Sequence, residues 1–326
     1  MILLRIFKDN RVTGIAALFL LSLGLFMKSF IQLGEVSGER AMPLYNLFFG
    51  SVHTVPFLDR FIALILFLIL GYMLIRIGVR YVLLDFRSYM PALFFLLFSV
   101  ALPSTQHVTP AVVGSIFYLL CFSMLFDVHD KRPDTFTIFN AGLLLVLGSM
   151  FYLKLIWFLP LIWISLATMR SVTWREILYP VIAYLMLGLF LFTWYWAIMD
   201  DAAGFWELVG RNLAFEGSLQ SHHYSVYIYY GFFLALVALV SLYMTKRLRV
   251  RKTVIKNLYL VLFYMFIAGI LFFLFIARFD PSSLVFVALP LSFILSDYFH
   301  RKRNHWLHEL ALWILVGLLV FVQWMV

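Results

Sequence analysis

Residues 57–76 read FLDRFIALILFLILGYMLIR. Asp59 and Arg60 open the stretch and Arg76 closes it, and the 15 residues between the two arginines carry no charge. A helix over 20 residues rises about 30 Å, at about 1.5 Å per residue. That length matches the hydrocarbon core of a bilayer, also about 30 Å. The apolar residues form one continuous run without alternation, so a barrel strand is excluded. Inside lipid an unsatisfied backbone group costs several kcal/mol, which leaves a helix as the spanning form.

The pattern recurs along the 326 residues, at about 12–31, 88–103, 109–126, 135–152, 154–170, 176–198, 225–244, 257–277, 282–298 and 306–325. Composition agrees: 64% of residues are hydrophobic, 13% are charged, and the mean hydropathy is +0.98. A soluble domain is about 45–50% apolar and about 25% charged. The reading is therefore one all-α integral membrane domain over 1–326, a transmembrane bundle of about eleven spans. The count drops to nine if one of the two short pairs, 88–126 or 135–170, only dips into the membrane. Arg5, Lys8 and Arg11 precede a first run too long for a signal-peptide core, which reads as a retained span. The single cysteine, Cys121, falls inside an apolar run and reads as a buried structural thiol.

Charge sets the expected orientation. With the N-terminus in the cytoplasm, alternating sides puts 19 of the 25 Lys and Arg residues inside, among them the six of 246–256. Lys28, Arg40, Arg60, Lys154, Arg211 and Arg278 stay outside. This bias follows the positive-inside rule. It also accounts for the net charge of +9 without a nucleic-acid partner.

Two outer loops are long enough to carry function: about 32–56, with Glu35, Glu39, Tyr45 and His53, and about 199–224, with Trp206, Glu207, His222 and His223. Ionisable groups near membrane depth are costly and mark sites or cavities. Here they gather on the outer side, where Asp59-Arg60 opens the second span, Lys154 sits between the fifth and sixth, and Arg278 and Asp280 close the ninth. Glu35 or Glu39 suits a general base or a divalent-cation contact, against the plainer reading of solvated loop charges. Arg278 suits a lipid phosphate, against a snorkelling arginine neutralised by Asp280. The adjacent His222 and His223 have no zinc spacing around them and sit among belt-like tyrosines. No P-loop, dinucleotide fingerprint or nucleophile elbow is present.

The segment 126–170 is more specific. Phe126-Asp127, Asp130-Lys131-Arg132, Phe139-Asn140-Ala141-Gly142-Leu143, Phe151-Tyr152-Leu153-Lys154, Leu159-Pro160 and Arg170 follow one another with short gaps. This run, with Tyr89 to Pro103 before it, resembles polytopic C-type glycosyltransferases over roughly 80 residues. With Trp174-Arg175-Glu176 added, most of the chain resembles a family of multi-span proteins from Bacteroidota. The glycosyltransferase resemblance implies a polyprenyl-phosphate sugar donor and chemistry outside the inner membrane, with an acid of the first outer loop as base or metal contact. Glu35, Glu39 and Asp59 occupy that place. Arg60, Lys154 and Arg278 would then neutralise the leaving phosphate, and His222 and His223 would contact the acceptor. The family's paired acidic motif and its periplasmic domain are absent here. The alternatives are a non-catalytic component of an envelope assembly and a transporter.

Overall fold

A computed structural model describes residues 12–32, 42–84, 88–130, 135–169, 172–197, 199–213 and 253–301, with short helical pieces between 231 and 243 and between 312 and 323. Among the described residues there is helix and no strand. Among the described residues six helices are long and apolar enough to cross a membrane: Thr13–Ile31, Pro56–Arg80, Pro110–Val128, Trp174–Ala197, Ile255–Ile276 and Pro281–Phe299. Shorter apolar helices cover Met90–Ser99, Phe136–Ser149 and Leu153–Met169.

In chain order the elements are α1 (Val12–Ile31), α2 (Pro43–Phe49), α3 (Pro56–Arg80), α4 (Met90–Ser99), α5 (Pro110–Asp130), α6 (Thr135–Ser149), α7 (Leu159–Met169), α8 (Trp174–Ala197), α9 (Ala202–Leu213), α10 (Thr253–Leu271) and α11 (Leu284–Arg301). Proline sits in the first turn of α2, α3 and α4, where its missing N–H costs nothing and its fixed φ favours the helix. Short 3-10 turns lead into α7 (Leu153–Phe158) and α11 (Pro281–Ser283). A π-helical turn, Phe272–Ile276, ends α10.

Contacts identify two ends of the bundle. At one, the Asp59 end, Arg60 of α3 reaches Ser29 of α1, and the 103–105 turn packs on the 281–283 turn. At the other, the Asp127 end, Arg80 and Tyr81 at the close of α3 bond Asp127 of α5. Tyr259 of α10 also bonds the Leu83 carbonyl there, at 2.9 Å.

The core is built on α4 and α11, which pack on each other. All ten residues of α4 are buried. At about 1.5 Å per residue it is only about 15 Å long, half a bilayer core. An aromatic knot joins α5, the two turns and α11. Tyr118, Phe158, Phe272 and Phe286 lie with ring centroids 4.8 to 5.5 Å apart. Each such pair contributes about 0.5–1.5 kcal/mol beyond its buried area. Two glycines allow close approach. A Cβ on Gly269 of α10 would stand 3.0 Å from the Phe286 carbonyl oxygen, and one on Gly142 of α6 would stand 2.9 Å from Pro180 Cα of α8.

Candidate functional site

The Asp59 end encloses a buried polar cluster. Pro56 starts α3 three residues ahead of Asp59, which places the carboxylate in the first helical turn, facing inward. Asp59 is 0% exposed and Arg60 is 7% exposed. Burying a charge is costly unless it is paired, so the surroundings of Asp59 are polar. Its Oδ1 accepts from the Val108 backbone N–H at 3.3 Å. His53 Nδ1 lies 2.9 Å from the same oxygen.

Beyond His53 the cluster continues to Tyr45 on α2. The Tyr45 hydroxyl donates its one proton to the Val108 carbonyl at 2.8 Å. Its oxygen also stands 2.9 Å from His53 Nε2, so the imidazole lies between the tyrosine hydroxyl and the Asp59 carboxylate with one ring nitrogen toward each. Arg60 Nε donates to Ser29 Oγ at 3.1 Å. His107, beside this group, has its imidazole held down to about 4, first by burial and then by the neighbouring His53 and Arg60. Gln106 donates to the carbonyls of Leu25 and Val100, both at 3.0 Å, and Gln323 donates to Val100 at 3.2 Å. Lys28 donates to the Gln323 carbonyl.

This cluster ties α1, α2, α3 and the 100–109 segment together. A general base must reach a substrate proton at hydrogen-bond distance. Asp59 lies beneath Tyr45, His53 and Val108 with no exposed surface, so its position suits bracing better than proton transfer. Among the described residues no three His, Cys, Asp or Glu side chains gather as metal ligands would. A divalent cation therefore finds no donor set among them.

A second feature lies at the same end. A groove of about 650 Å³ runs between α8 on one side and the 153–160 turn on the other, with α9 beside it. Met150, Trp157, Tyr184, Gly188, Phe205 and Leu213 are among its lining residues, nearly all apolar. α9 is amphipathic. Phe205 is buried, Trp206 is exposed, and Glu207 pairs with Arg211 on the polar face. Such a helix suits a membrane interface. Lys154, half-buried, stands on the turn whose Leu153 and Ile156 form the groove wall.

Of the residues singled out by sequence, Asp59 and Arg60 share the buried cluster, while Lys154 borders the groove. Arg278 is exposed on the turn between α10 and α11, where it and Phe279 adopt left-handed φ values of 45° and 64°. Asp280 caps the following turn by accepting from Ser282 N at 3.1 Å and Ser282 Oγ at 2.5 Å, so its carboxylate has work other than neutralising Arg278. Glu35, Glu39, His222 and His223 lie outside the described residues. Sequence reading passed over Gln106 and His107, which sit in the short gap between Pro103 and Pro110. Their one visible signal is polarity between two apolar helices.

No model of a known protein family matches the chain, and no characterised protein or solved structure does.

Proposed function

We propose that this is a multi-pass protein of a bacterial inner membrane that transfers a glycosyl or related group from a polyprenyl-phosphate carrier during cell-envelope biogenesis. Its N-terminus is cytoplasmic, it crosses about eleven times, and the Asp59 end faces outward. Support for eleven crossings comes from the ends of the helices. α3 closes near Asp127 and α5 opens beside Val108, so α4 must return the chain between them. In this reading α6, α7 and the segments around 231–243 and 312–323 supply the other short passes.

The observation that carries the reading is the apolar groove at the Asp59 end. Pockets that hold ligands are largely apolar, with a few polar groups that fix orientation. Here the apolar wall would take a stretch of isoprenoid chain, and Lys154 on the adjoining turn would sit near the carrier phosphate. An acceptor hydroxyl oxygen attacks the anomeric carbon while the bond from that carbon to the phosphate oxygen breaks. The hydroxyl proton goes to Glu35 or Glu39, and the lipid phosphate leaves as an anion. Lys154, Arg60 and Arg278 are the cations available to offset that charge. His222 and His223 are the acceptor contacts in this scheme.

Gly188 offers a clean test, because nothing stands within 4 Å of a Cβ built there. Gly188→Phe should fill the groove without disturbing the helix and lower consumption of a lipid-linked sugar at least tenfold, about 1.4 kcal/mol of lost binding. Glu35→Gln or Glu39→Gln should abolish it. If all three variants turn over the donor as wild type does, the transferase reading is wrong. A second reading, a non-catalytic assembly component, draws on α8, of which only 11% is buried. A protein that copurifies through the α8 face and is lost from a variant of that face would favour it.

A further inference from the structure

A second groove, of about 800 Å³, lies between α1, α3 and α4 toward the Asp127 end. Its walls are Ile15, Leu18 and Phe19 of α1, Leu68 to Val79 of α3, and Ala92 and Leu96 of α4. Gly71 is part of its floor. It has no side chain to fill the space, and a Cβ there would already touch Ala92 Cβ at 3.4 Å. Arg76 and Arg80 close one end of the groove.

The two arginines differ. Arg80 NH2 lies 2.9 Å from both oxygens of Asp127, and its guanidinium stands 5.4 Å over the Tyr81 ring. The Tyr81 hydroxyl stands 2.8 Å from Asp127 and 2.5 Å from the Ser123 carbonyl, with one proton to give between them. Arg76 is exposed and has no hydrogen bond or carboxylate among the described residues. These groups together carry one net positive charge, and Asp127, the carboxylate among them, is already taken.

We infer that this groove binds one acyl chain of an anionic phospholipid, with the phosphate held by Arg76. Length supports this. From Leu68 to Arg80 the α3 wall rises about 18 Å, at about 1.5 Å per residue. One leaflet of hydrocarbon is about 15 Å deep, half of a core about 30 Å thick. A chain lying along the wall thus brings its headgroup to the level of Arg76. Charge selects the headgroup. A zwitterionic lipid would bring an ammonium beside Arg76, and Asp127, the nearby acid, is already bonded by Arg80 and Tyr81. A net-negative headgroup leaves no cation to place. Basic pockets between spans are a general means of holding such lipids.

The test is native mass spectrometry of the detergent-purified full chain, titrated with phosphatidylglycerol or with phosphatidylcholine of identical chains. Wild type should retain one phosphatidylglycerol in preference to phosphatidylcholine. Arg76→Gln should lose about fivefold in phosphatidylglycerol retention and with it the preference, the size expected for one basic residue at a membrane surface. Ile15→Trp, at a position 55% exposed and outside the core, should fill the groove and reduce retention of both lipids. Arg175→Gln, on α8 and away from the groove, should change nothing. Equal retention by Arg76→Gln and wild type overturns the inference. So does an equal loss in Arg76→Gln and Arg175→Gln, which would mark a diffuse charge effect. Matching elution and melting profiles for the variants show that each remains folded.

Discussion

α11 and α8 are both long apolar helices, and each has a proline within it, Pro290 and Pro180. Yet 94% of the apolar stretch of α11 is buried in the protein, against 11% for α8. The difference lies in what each side chain must fit. α11 runs Leu-Val-Phe-Val-Ala-Leu-Pro-Leu-Ser and meets neighbours on every face, with Ser292 and Ser296 returning their hydroxyls to carbonyls of their own helix at 2.7 and 2.6 Å. α8 ends Thr-Trp-Tyr-Trp, has α6 as its main neighbour, and presents Leu185, Leu189 and Phe190 outward. Lipid is as apolar as leucine, so hydropathy alone cannot drive a helix to the centre. Packing and polar complementarity do.

That contrast predicts an order of mutational effects. Phe286→Ala, at the aromatic knot of α11, should cost about 3 kcal/mol, measured by reversible unfolding in mixed detergent, because the cavity left behind cannot collapse. A cost below about 1 kcal/mol would mean that the knot is loosely packed. Asp59→Asn should cost about 2 kcal/mol, since it removes the charge that His53 and the Val108 amide address. His53→Asn should then add little to it, and full additivity of the two changes would refute their coupling.

Acid gives a smaller effect. In the folded protein His107 is held down to about 4, against an ordinary value of 6.5. The unfolded chain therefore takes up the proton first as pH falls. Stability from this group is complete above 6.5 and erodes as pH drops from 6.5 toward 4, by at most about 1.4 kcal/mol for each pH unit. His107→Gln should flatten the stability profile in that window. An unchanged slope would show that another group is responsible. Leu189→Ala, at a position 70% exposed on α8, should move stability by less than about 0.5 kcal/mol. A loss approaching that of Phe286→Ala would mean that the α8 face is covered in the membrane, which is the result expected of an assembly component.

Much of this architecture was legible in the residues. The long apolar runs, the breaks before Pro56 and Pro110 and the turn at Lys154 all fall where side-chain chemistry places them. Burial was not legible. α4 is hydrophobic all round, and nothing in Met90 to Ser99 distinguishes a helix caged by protein from one facing lipid. α2 was hidden inside a polar loop because its seven residues are too few to show a period. At the site, Asp59-Arg60 stood out as charge at a span edge, and Tyr45 and His53 stood out as polar loop residues. Their convergence depends on Val108, a backbone contribution that no side-chain pattern encodes. Gln106 and His107 went unmarked for a related reason, since Gln106 bonds the Leu25 carbonyl of α1 and His107 stands beside His53 and Arg60, all distant in the chain.

The short α4 also bears on biosynthesis. As the ribosome releases it, this ten-residue helix covers only half the depth of the hydrocarbon core and has not yet met the helix that cages it. Its companion α11 follows nearly 200 residues later, and the Gln323 amide that bonds the Val100 carbonyl comes later still. Until those segments leave the insertion machinery, the centre of the molecule stands open. Maturation must therefore run from the periphery inward, with the earliest helices waiting for the latest to close around them.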